Sequence, residues 1–271
     1  MGEMSLKEKS ANTSGINTWK QFARQVRSRD TLLLKELDRF PRSVLVTGCQ
    51  RSGTTALSRL ITGSSGMIDF SFGKDDELDG ASILSGSVDY DPVGRYCFQT
   101  TYLNDCYREY FSHQRDNKII WVLRNPFSVF YSLLHNWKRF PLKELFLACG
   151  AEHLPNEYKV RFRRYGLLGV SRLHKACLSY VGKVSQALEL IEGLGTAHIK
   201  IVEYDDVTKN KSVIAPEIYR FIDPPYEEEY ANRLHSNSLD KASLLSKKEH
   251  SEIEHWCRPL YRKALELCEK Q

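Results

Sequence analysis

Short apolar runs rich in β-branched residues alternate along this chain with longer stretches in which apolar residues recur every three to four positions. Runs of the first kind are typical of buried strands, and stretches of the second kind of amphipathic helices. Strands are predicted at 43–47, 67–70, 95–102, 118–124 and 197–204. Helices are predicted directly after the first strand and at 17–40, 103–114, 126–139, 142–149, 166–193, 212–223 and 249–269. This alternation predicts an α/β fold with a central parallel β-sheet flanked by helices.

The pattern predicts a single domain, which is an ordinary arrangement for 271 residues of an α/β protein with insertions. Residues 1–14 are polar and without periodicity, so we expect a flexible N-terminal tail, with one domain over 15–271. Residues 73–94 are rich in Gly, Asp and Ser. They predict a long loop of the kind that forms lids or binding segments.

The sequence between the first strand and its helix is typical of a phosphate-binding loop. Gly48 and Gly53 have the spacing of G-x-x-x-x-G-K-[ST]. At such a loop, several backbone N–H groups and the positive end of the helix dipole point to one place and favour an anion. Thr54 stands where the nucleoside triphosphate loop has its lysine, and the cation is Arg51 instead. The loop therefore predicts an anion site that differs from an ATP site.

A second polar motif follows the strand at 118–124. Arg124 ends the strand, and Pro126 suits the first position of the next helix. Ser132 falls on the polar face of that helix, away from its apolar stripe. The carboxyl ends of parallel strands lie at one edge of a sheet, where ligands of such folds bind. We therefore expect Arg124 to lie near Arg51.

Together the two motifs resemble those of the sulfotransferases. Arg-Ser-Gly-Thr-Thr at 51–55 is similar to the family's 5′-phosphosulfate loop, with Gln50 in place of its usual proline. Arg124, followed eight residues later by Ser132, is similar to the family's 3′-phosphate signature. The resemblance covers about 42–265 and implies a P-loop NTPase-like sulfotransferase fold.

The resemblance implies 3′-phosphoadenosine 5′-phosphosulfate (PAPS) as the donor, 3′,5′-adenosine bisphosphate (PAP) as the product, and in-line displacement without a metal. Arg51 is the catalytic cation at the bridging and 5′-phosphate oxygens, Tyr204 lies against the adenine, and a late loop closes over the 3′-phosphate. The implied donor-binding residues are Arg51, Ser52, Gly53, Thr54, Thr55, Ala56, Arg124, Ser132, Tyr204, Ser238 and Lys241. A kinase or ATPase would instead need a lysine in the loop and a strand-end carboxylate for magnesium.

The catalytic base is not at the family's usual place. Small-molecule sulfotransferases have Lys-Thr-His on the strand before the Arg-Asn-Pro segment, and the matching residues here are Gln-Thr-Thr at 99–101. Other branches use a carboxylate shortly after the loop helix, and we rank Asp69 and Asp76 first for this role. The other carboxylates and histidines considered are Asp75, Glu77, His113 and His135. An amine acceptor, which needs no strong base, is a further solution.

The composition of the chain limits the classes of ligand and partner that we expect. A hydrophobic content of 41%, a charged content of 27% and no apolar run near 20 residues indicate a globular protein without a membrane partner. A net charge of +5 is far below that of a nucleic-acid binder but suits an anionic ligand. Seven scattered cysteines and no signal core at the N-terminus favour the cytoplasm.

Two functions remain open at this point. The first is a sulfotransferase that acts on a small-molecule acceptor, such as a specialised metabolite. The second is a nucleotide-binding protein with a degenerate sulfotransferase fold and no turnover, which the missing Lys-Thr-His favours.

Overall fold

The computed structural model describes residues 16–29, 32–72, 75–103, 106–113, 116–136, 150–166, 168–234 and 239–271. Its strands are β1 (Val44–Gly48), β2 (Cys97–Gln99), β3 (Lys118–Leu123) and β4 (Ile199–Glu203). They form one parallel sheet in the order β2-β1-β3-β4. The predicted α/β fold with a central parallel sheet is confirmed.

Helices flank the sheet over the described part of the chain. The α-helices are α1 (Trp19–Arg29), α2 (Thr54–Thr62), α3 (Asp76–Leu84), α4 (Pro126–Tyr131), α5 (Asn156–Tyr165), α6 (Arg172–Leu194), α7 (Tyr204–Lys209), α8 (Lys211–Ile222), α9 (Glu228–Ala231), α10 (Lys247–Trp256) and α11 (Arg258–Glu269). Short 3₁₀ helices span Leu37–Arg39, Tyr107–Ser112, Ala151–His153 and Leu239–Leu244, and a π-helix, Ser132–Asn136, continues α4.

Each face of the sheet carries its own hydrophobic core, because successive residues of a strand point to opposite faces. In β1, Val44 and Val46 face the core that the sheet forms with α2 and α8. Leu45 faces the larger core, formed with α3, α6 and the C-terminal helices. Coverage of both faces explains why the strands read as nearly continuous apolar runs, and it leaves the strand ends for polar residues.

The prediction of a loop over 73–94 is wrong for Asp76–Leu84, which form α3. The Asp75 side chain caps this helix by accepting hydrogen bonds from two backbone N–H groups of its first turn. Gly80 lies against the rings of Phe70 and Phe98, so the missing side chain lets the helix approach them closely. The Gly, Asp and Ser content that suggests a loop therefore belongs in part to a capped, tightly packed helix.

Two predictions near the N-terminal half are corrected. Residues 67–70 form no strand, and Met67 contributes only an isolated bridge to Arg95. The helix predicted at 17–40 ends at Arg29, and a turn and a 3₁₀ helix follow from residue 33. Both errors arise because apolar residues that pack against the core without a regular backbone give the same sequence pattern as helix or strand.

Three further differences concern helices. The helix predicted at 249–269 is two helices, α10 and α11, and Pro259 lies in the first turn of the second. Proline lacks the N–H that a continuous helix needs at that position. The helix predicted at 103–114 is described as a 3₁₀ helix, Tyr107–Ser112, and α5 was not predicted.

Some predictions fall outside the described residues. These are the tail at 1–14, the helix at 142–149, and Ser238. The backbone of Lys241 belongs to a 3₁₀ helix, but its side chain is also outside the description. Among the residues that are described, no helix is both long and apolar enough to cross a membrane.

Candidate functional site

The phosphate-binding loop is the turn from β1 into α2, and both of its glycines are required by their surroundings. Gly48 has φ +148°, and a Cβ there would lie 2.5 Å from the carbonyl oxygen of Val122. Gly53 has φ +101°, and a Cβ there would lie 2.3 Å from the ring of Tyr204. No other residue type fits at these two positions without moving a neighbouring strand or ring.

The end of this loop presents backbone donors. Gly53 is the N-cap of α2 and offers no side-chain acceptor, so the first-turn N–H groups of Thr54, Thr55 and Ala56 have no side-chain cap. Ser52 has another role, because its N–H and its hydroxyl both donate to the Cys49 carbonyl, at 3.1 and 2.6 Å. The cradle therefore begins at Gly53, and the fully buried Ser52 closes the turn behind it.

Arg124 reaches the same loop from the end of β3. Its Nε donates to Asp205 Oδ1 at 2.9 Å, and both side chains are about nine-tenths buried. Its Nη1 donates to the carbonyl oxygen of Arg51 at 3.2 Å, and its guanidinium lies 5.1 Å from the ring centroid of Tyr204. Arg124 is thus held on three sides, and its position owes as much to Asp205 and Tyr204 on α7 as to its own strand.

The two sequence motifs also meet through side chains. Arg51 Nε donates to Ser132 Oγ at 2.8 Å, where the π-helix begins. Arg51 has φ +71°, a conformation that is costly for a residue with a side chain and is frequent at functional sites. The strained backbone turns the Arg51 side chain toward the second motif.

Glu203, the last residue of β4, fixes the strand that carries Arg124. Its carboxylate accepts hydrogen bonds from the N–H of Asn125 at 3.2 Å and from the N–H of Asp206 at 2.7 Å. Burial and the neighbouring Asp205 raise the pKa of Glu203 to about 7. This carboxyl joins the ends of β3 and β4, and sequence reasoning did not identify it.

These groups enclose one cavity of about 280 Å³ at the carboxyl edge of the sheet. It is lined by Arg51, Gly53, Thr54, Thr55, Ala56, Arg124, Ser128, Tyr131, Ser132, Asn136 and Tyr204. Eight of the predicted donor-binding residues therefore lie around a single space, which we call the cradle cavity. Ser128, Tyr131 and Asn136 were missed, although Ser128 and Asn136 lie four residues before and after Ser132 and share its helical face.

The cradle cavity is electropositive. Arg51 and Arg124 contribute two cations, Asp205 contributes one carboxylate, and the N-terminus of α2 adds the positive end of its dipole. Partial burial and the nearby Arg124 cation lower the pKa of Arg51, which shows that the two guanidinium groups repel one another. An anion bound between them would relieve this repulsion.

The carboxylates ranked first as catalytic bases lie in a neighbouring space. Asp69 and Asp76 line a cavity of about 310 Å³ that Gln99 also borders. Asp76 Oδ2 accepts a hydrogen bond from Arg59 Nε at 2.6 Å, while Asp69 Oδ1 accepts one from the N–H of Ser71 at 2.9 Å. Asp76 is thereby engaged in an ion pair with Arg59.

Glu77, the next residue after Asp76, is connected to the cradle through Gln99. Gln99 Nε2 donates to Glu77 Oε2 at 3.0 Å and to Thr54 Oγ1, which lines the cradle cavity, at 3.3 Å. Burial and the nearby Asp75 carboxylate raise the pKa of Glu77 to about 8, against the opposing charge of Lys183. A carboxyl that gains and loses its proton near neutral pH is suited to general base catalysis.

No group of three or more His, Cys, Asp or Glu side chains within the described ranges could hold a metal ion. A further cavity of about 430 Å³ lies between Tyr158, His174 and Trp256, and none of the cradle residues lines it. The chemistry of the strand ends therefore points to the cradle cavity as the functional site.

Several solved structures are similar to this chain. The mouse sulfotransferase SULT7A1 complexed with PAP is 15% identical with a TM-score of 0.50, covering 89% of this chain and 94% of that chain. The sulfotransferase domain from the curacin biosynthetic pathway is 14% identical with a TM-score of 0.47, covering 77% and 84%. Retinol dehydratase in complex with retinol and PAP is 13% identical with a TM-score of 0.47, covering 86% and 85%. No curated protein sequence matches the chain.

A family model identifies the group to which the chain belongs. The model of the sulfotransferase domain matches residues 108–265, which is more than half of the chain. The match includes the segment from Arg124 to Ser132, whereas the phosphate-binding loop lies before it and was identified from its own residues. The resemblance stated from the two motifs is confirmed, and the chain belongs to the sulfotransferase family of enzymes.

Proposed function

We propose that this protein transfers a sulfuryl group from PAPS to a hydroxyl or amine of a small-molecule acceptor. The observation that carries the proposal is the convergence of Arg51 and Arg124, from two different strands, on the uncapped N-terminus of α2. PAPS carries a 3′-phosphate and a 5′-phosphosulfate, and a cavity with two separate cations and a backbone donor cradle suits two anionic groups.

The donor-binding roles follow from the elements that hold each group. Arg51 and the N–H groups of Thr54 and Thr55 are assigned to the 5′-phosphosulfate, because they surround the start of α2. Arg124 and Ser132 are assigned to the 3′-phosphate. When bound, the donor supplies the sulfuryl group and a phosphate leaving group. The fixed donors stabilise the negative charge that develops on that leaving group.

Tyr204 and the late loop complete the assigned donor site. The Tyr204 ring lies beside Gly53 and Arg124 and offers an aromatic surface for the adenine. Ser238 and Lys241 are assigned to the 3′-phosphate by the family resemblance alone. Their substitution is therefore a separate test from that of the cradle residues.

For the proton of the acceptor we propose Glu77 as the general base. Its carboxyl is one hydrogen bond from Gln99, and Gln99 borders both the cradle residue Thr54 and the neighbouring 310 Å³ cavity. A cavity of that size is within the range of small-molecule sites, which supports an acceptor bound beside Gln99. Asp69 and Asp76 are the alternative bases, but the Asp76 side chain is already engaged in an ion pair with Arg59.

Calorimetric titration with PAP, ATP and 5′-AMP, each with and without magnesium, tests the donor site. We expect PAP to bind most tightly and independently of magnesium, and Arg124→Gln to weaken PAP binding at least tenfold because a charged contact to the 3′-phosphate is lost. Arg220→Gln, at an exposed position of α8 away from the cradle, is the matched control. A preference for magnesium and ATP would contradict the proposal.

Turnover is tested separately, with 35S-labelled PAPS and a panel of phenols, alcohols and amines. Transfer of label to any acceptor, reduced in Arg51→Gln, supports the enzyme. Tight PAP binding without transfer to the whole panel would favour the non-catalytic alternative.

A further inference from the structure

The chain buries a lysine directly behind the proposed active site. Lys183, in the middle of α6, is 1% exposed. Its Nζ donates to the carbonyl oxygen of Thr101 at 2.9 Å and lies 5.9 Å from the ring centroid of Trp121. Lysine is almost never fully buried without an electrostatic partner, because its ammonium group loses its hydration. The groups that surround Lys183 therefore compensate for the lost hydration of its ammonium group.

Thr101 connects this cation to the active-site carboxyl. The carbonyl of Thr101 accepts from Lys183, while its hydroxyl accepts a hydrogen bond from Gln99 Nε2 at 3.2 Å. The same Gln99 nitrogen donates to Glu77 Oε2 at 3.0 Å. Gln50 of the phosphate-binding loop donates through its Nε2 to the same Thr101 carbonyl at 3.3 Å. Thr101, which follows β2, therefore links the buried cation of Lys183, the phosphate-binding loop and the Glu77 carboxyl of α3.

We propose that Lys183 is a positioning residue for sulfuryl transfer: its ammonium holds Thr101, which together with Gln99 fixes the position of Glu77, and it places a buried positive charge behind that carboxyl. This inference rests on the proposed function, because it assigns a task to Lys183 in that reaction. The strand end at 99–101 carries no cation of its own, and α6 supplies one from a different part of the chain.

The charges around Glu77 show how the effect arises. Asp75, before α3, raises the pKa of Glu77, and Lys183, on α6, lowers it. Tyr102 and Tyr110 also face Glu77, and burial raises the pKa of both phenols, so that they stay neutral near pH 8. Lys183 is thus the cation that opposes burial and Asp75, and it keeps Glu77 able to ionise near neutral pH.

Titration of the Glu77 carboxyl by 13C NMR, with the resonance assigned from Glu77→Gln, tests the inference without donor, acceptor or turnover. In Lys183→Met, which keeps an unbranched side chain but loses the charge, we expect the pKa of Glu77 to rise by about one unit or more. Lys183→Arg should restore most of the wild-type titration. Lys175→Met, two turns earlier on α6, is the matched control and should leave Glu77 unchanged.

A reciprocal measurement does not depend on the folding of a Lys183 variant. Electrostatic coupling between two sites is mutual, so Glu77→Gln should lower the pKa of Lys183, read from its 15Nζ resonance, by an amount similar to the rise measured at Glu77. If the Lys183 resonance titrates identically in wild type and Glu77→Gln, the inference is overturned and Lys183 is a structural hydrogen-bond donor only.

The kinetic consequence is a shift of the acid limb of kcat/KM to higher pH in Lys183→Met, with PAP affinity within about twofold of wild type. An unshifted pH profile with a uniformly lower rate would overturn the inference, because a loss of packing alone lowers activity equally at every pH. If no acceptor is turned over by wild type, the NMR titrations still decide the coupling between Lys183 and Glu77. Failure of the proposed function and failure of this inference are therefore distinguishable.

Discussion

Arg51 Nε donates a hydrogen bond of 2.8 Å to Ser132 Oγ, across 81 positions of sequence. This contact joins the loop after β1 to the helix that follows Arg124, so the two sequence motifs line one cavity rather than two. The strained backbone of Arg51 and the π-helix that begins at Ser132 are the local features that bring the two atoms together.

Ser132→Ala should weaken PAP binding by about 10- to 150-fold, because a hydrogen bond to a charged group contributes roughly 1.5–3 kcal/mol. The variant removes the contact with Arg51 and the assigned contact with the 3′-phosphate. Ser212→Ala, an exposed serine on α8, is the control and should bind as wild type does. Calorimetry with PAP measures the affinity of both variants. Equal affinities of Ser132→Ala and wild type would show that Ser132 is not part of the donor site.

Gly53→Ala should abolish PAP binding and lower the melting temperature. A methyl group there meets the Tyr204 ring at 2.3 Å in addition to the backbone strain at φ +101°. Gly66→Ala is a matched control, because Gly66 has φ +79° but nothing within 4 Å of the added Cβ. In Gly66→Ala, the free energy of unfolding should fall only by the cost of the strained backbone, about 1–3 kcal/mol. Similar melting temperatures for the two variants would show that Tyr204 moves aside freely.

Asp205→Asn should destabilise the protein without ligand by roughly 3–5 kcal/mol, since it leaves the buried Arg124 cation without its carboxylate partner. PAP should then raise the melting temperature of the variant more than that of wild type, because the 3′-phosphate replaces the lost negative charge. Asp206→Asn, the exposed neighbour, is the control. Equal PAP-induced shifts in Asp205→Asn and wild type would contradict a 3′-phosphate at Arg124.

Glu203→Gln should remove part of the pH dependence of stability. The pKa of Glu203 is raised from 4.5 to about 7 in the folded protein. Between these values the folded state holds a proton that the unfolded state has lost, so stability falls as pH rises through this window. The melting temperature of Glu203→Gln relative to wild type should therefore increase from pH 4 to pH 7.5. Glu217→Gln, at an exposed position of α8, is the control, and its melting temperature should differ from that of wild type by the same amount at every pH.

If Glu77 is the general base, kcat/KM should rise about tenfold per pH unit below pH 8 and level off above it, since the base must be deprotonated. Glu77→Gln should reduce turnover by about 10² to 10⁴ with PAP affinity retained. Asp76→Asn and Asp69→Asn are the comparisons. Turnover lost in either of them but kept in Glu77→Gln would move the role of base to that carboxylate.

Periodicity and motif spacing predicted the layered α/β fold and most of the cradle. Apolar strands such as β1 and β3 are buried on both faces, and the resulting continuous apolar runs are visible in a single sequence. The glycines at 48 and 53 are visible for a similar reason, because the tight turn and the close approach of Val122 and Tyr204 leave no room for a side chain.

Predictions from local sequence patterns were wrong where tertiary packing determines the backbone conformation. α3 contains Gly80 and a first turn rich in acidic residues, so its composition indicates a loop. The helix forms because Asp75 caps it and the rings of Phe70 and Phe98 cover the glycine. Propensity is a weak guide when tertiary contacts of this kind contribute most of the stability.

The sequence by itself determined that the chain forms a parallel α/β sheet with a glycine-containing turn between β1 and α2, because hydrophobic period and turn geometry are properties of neighbouring residues. Only the tertiary structure decided the partners of those residues: Asp205 for Arg124, Glu77 for Gln99 and Lys183 for Thr101. These pairs are separated by 22 to 82 positions, and their contacts depend on how strands and helices pack, which no local pattern specifies.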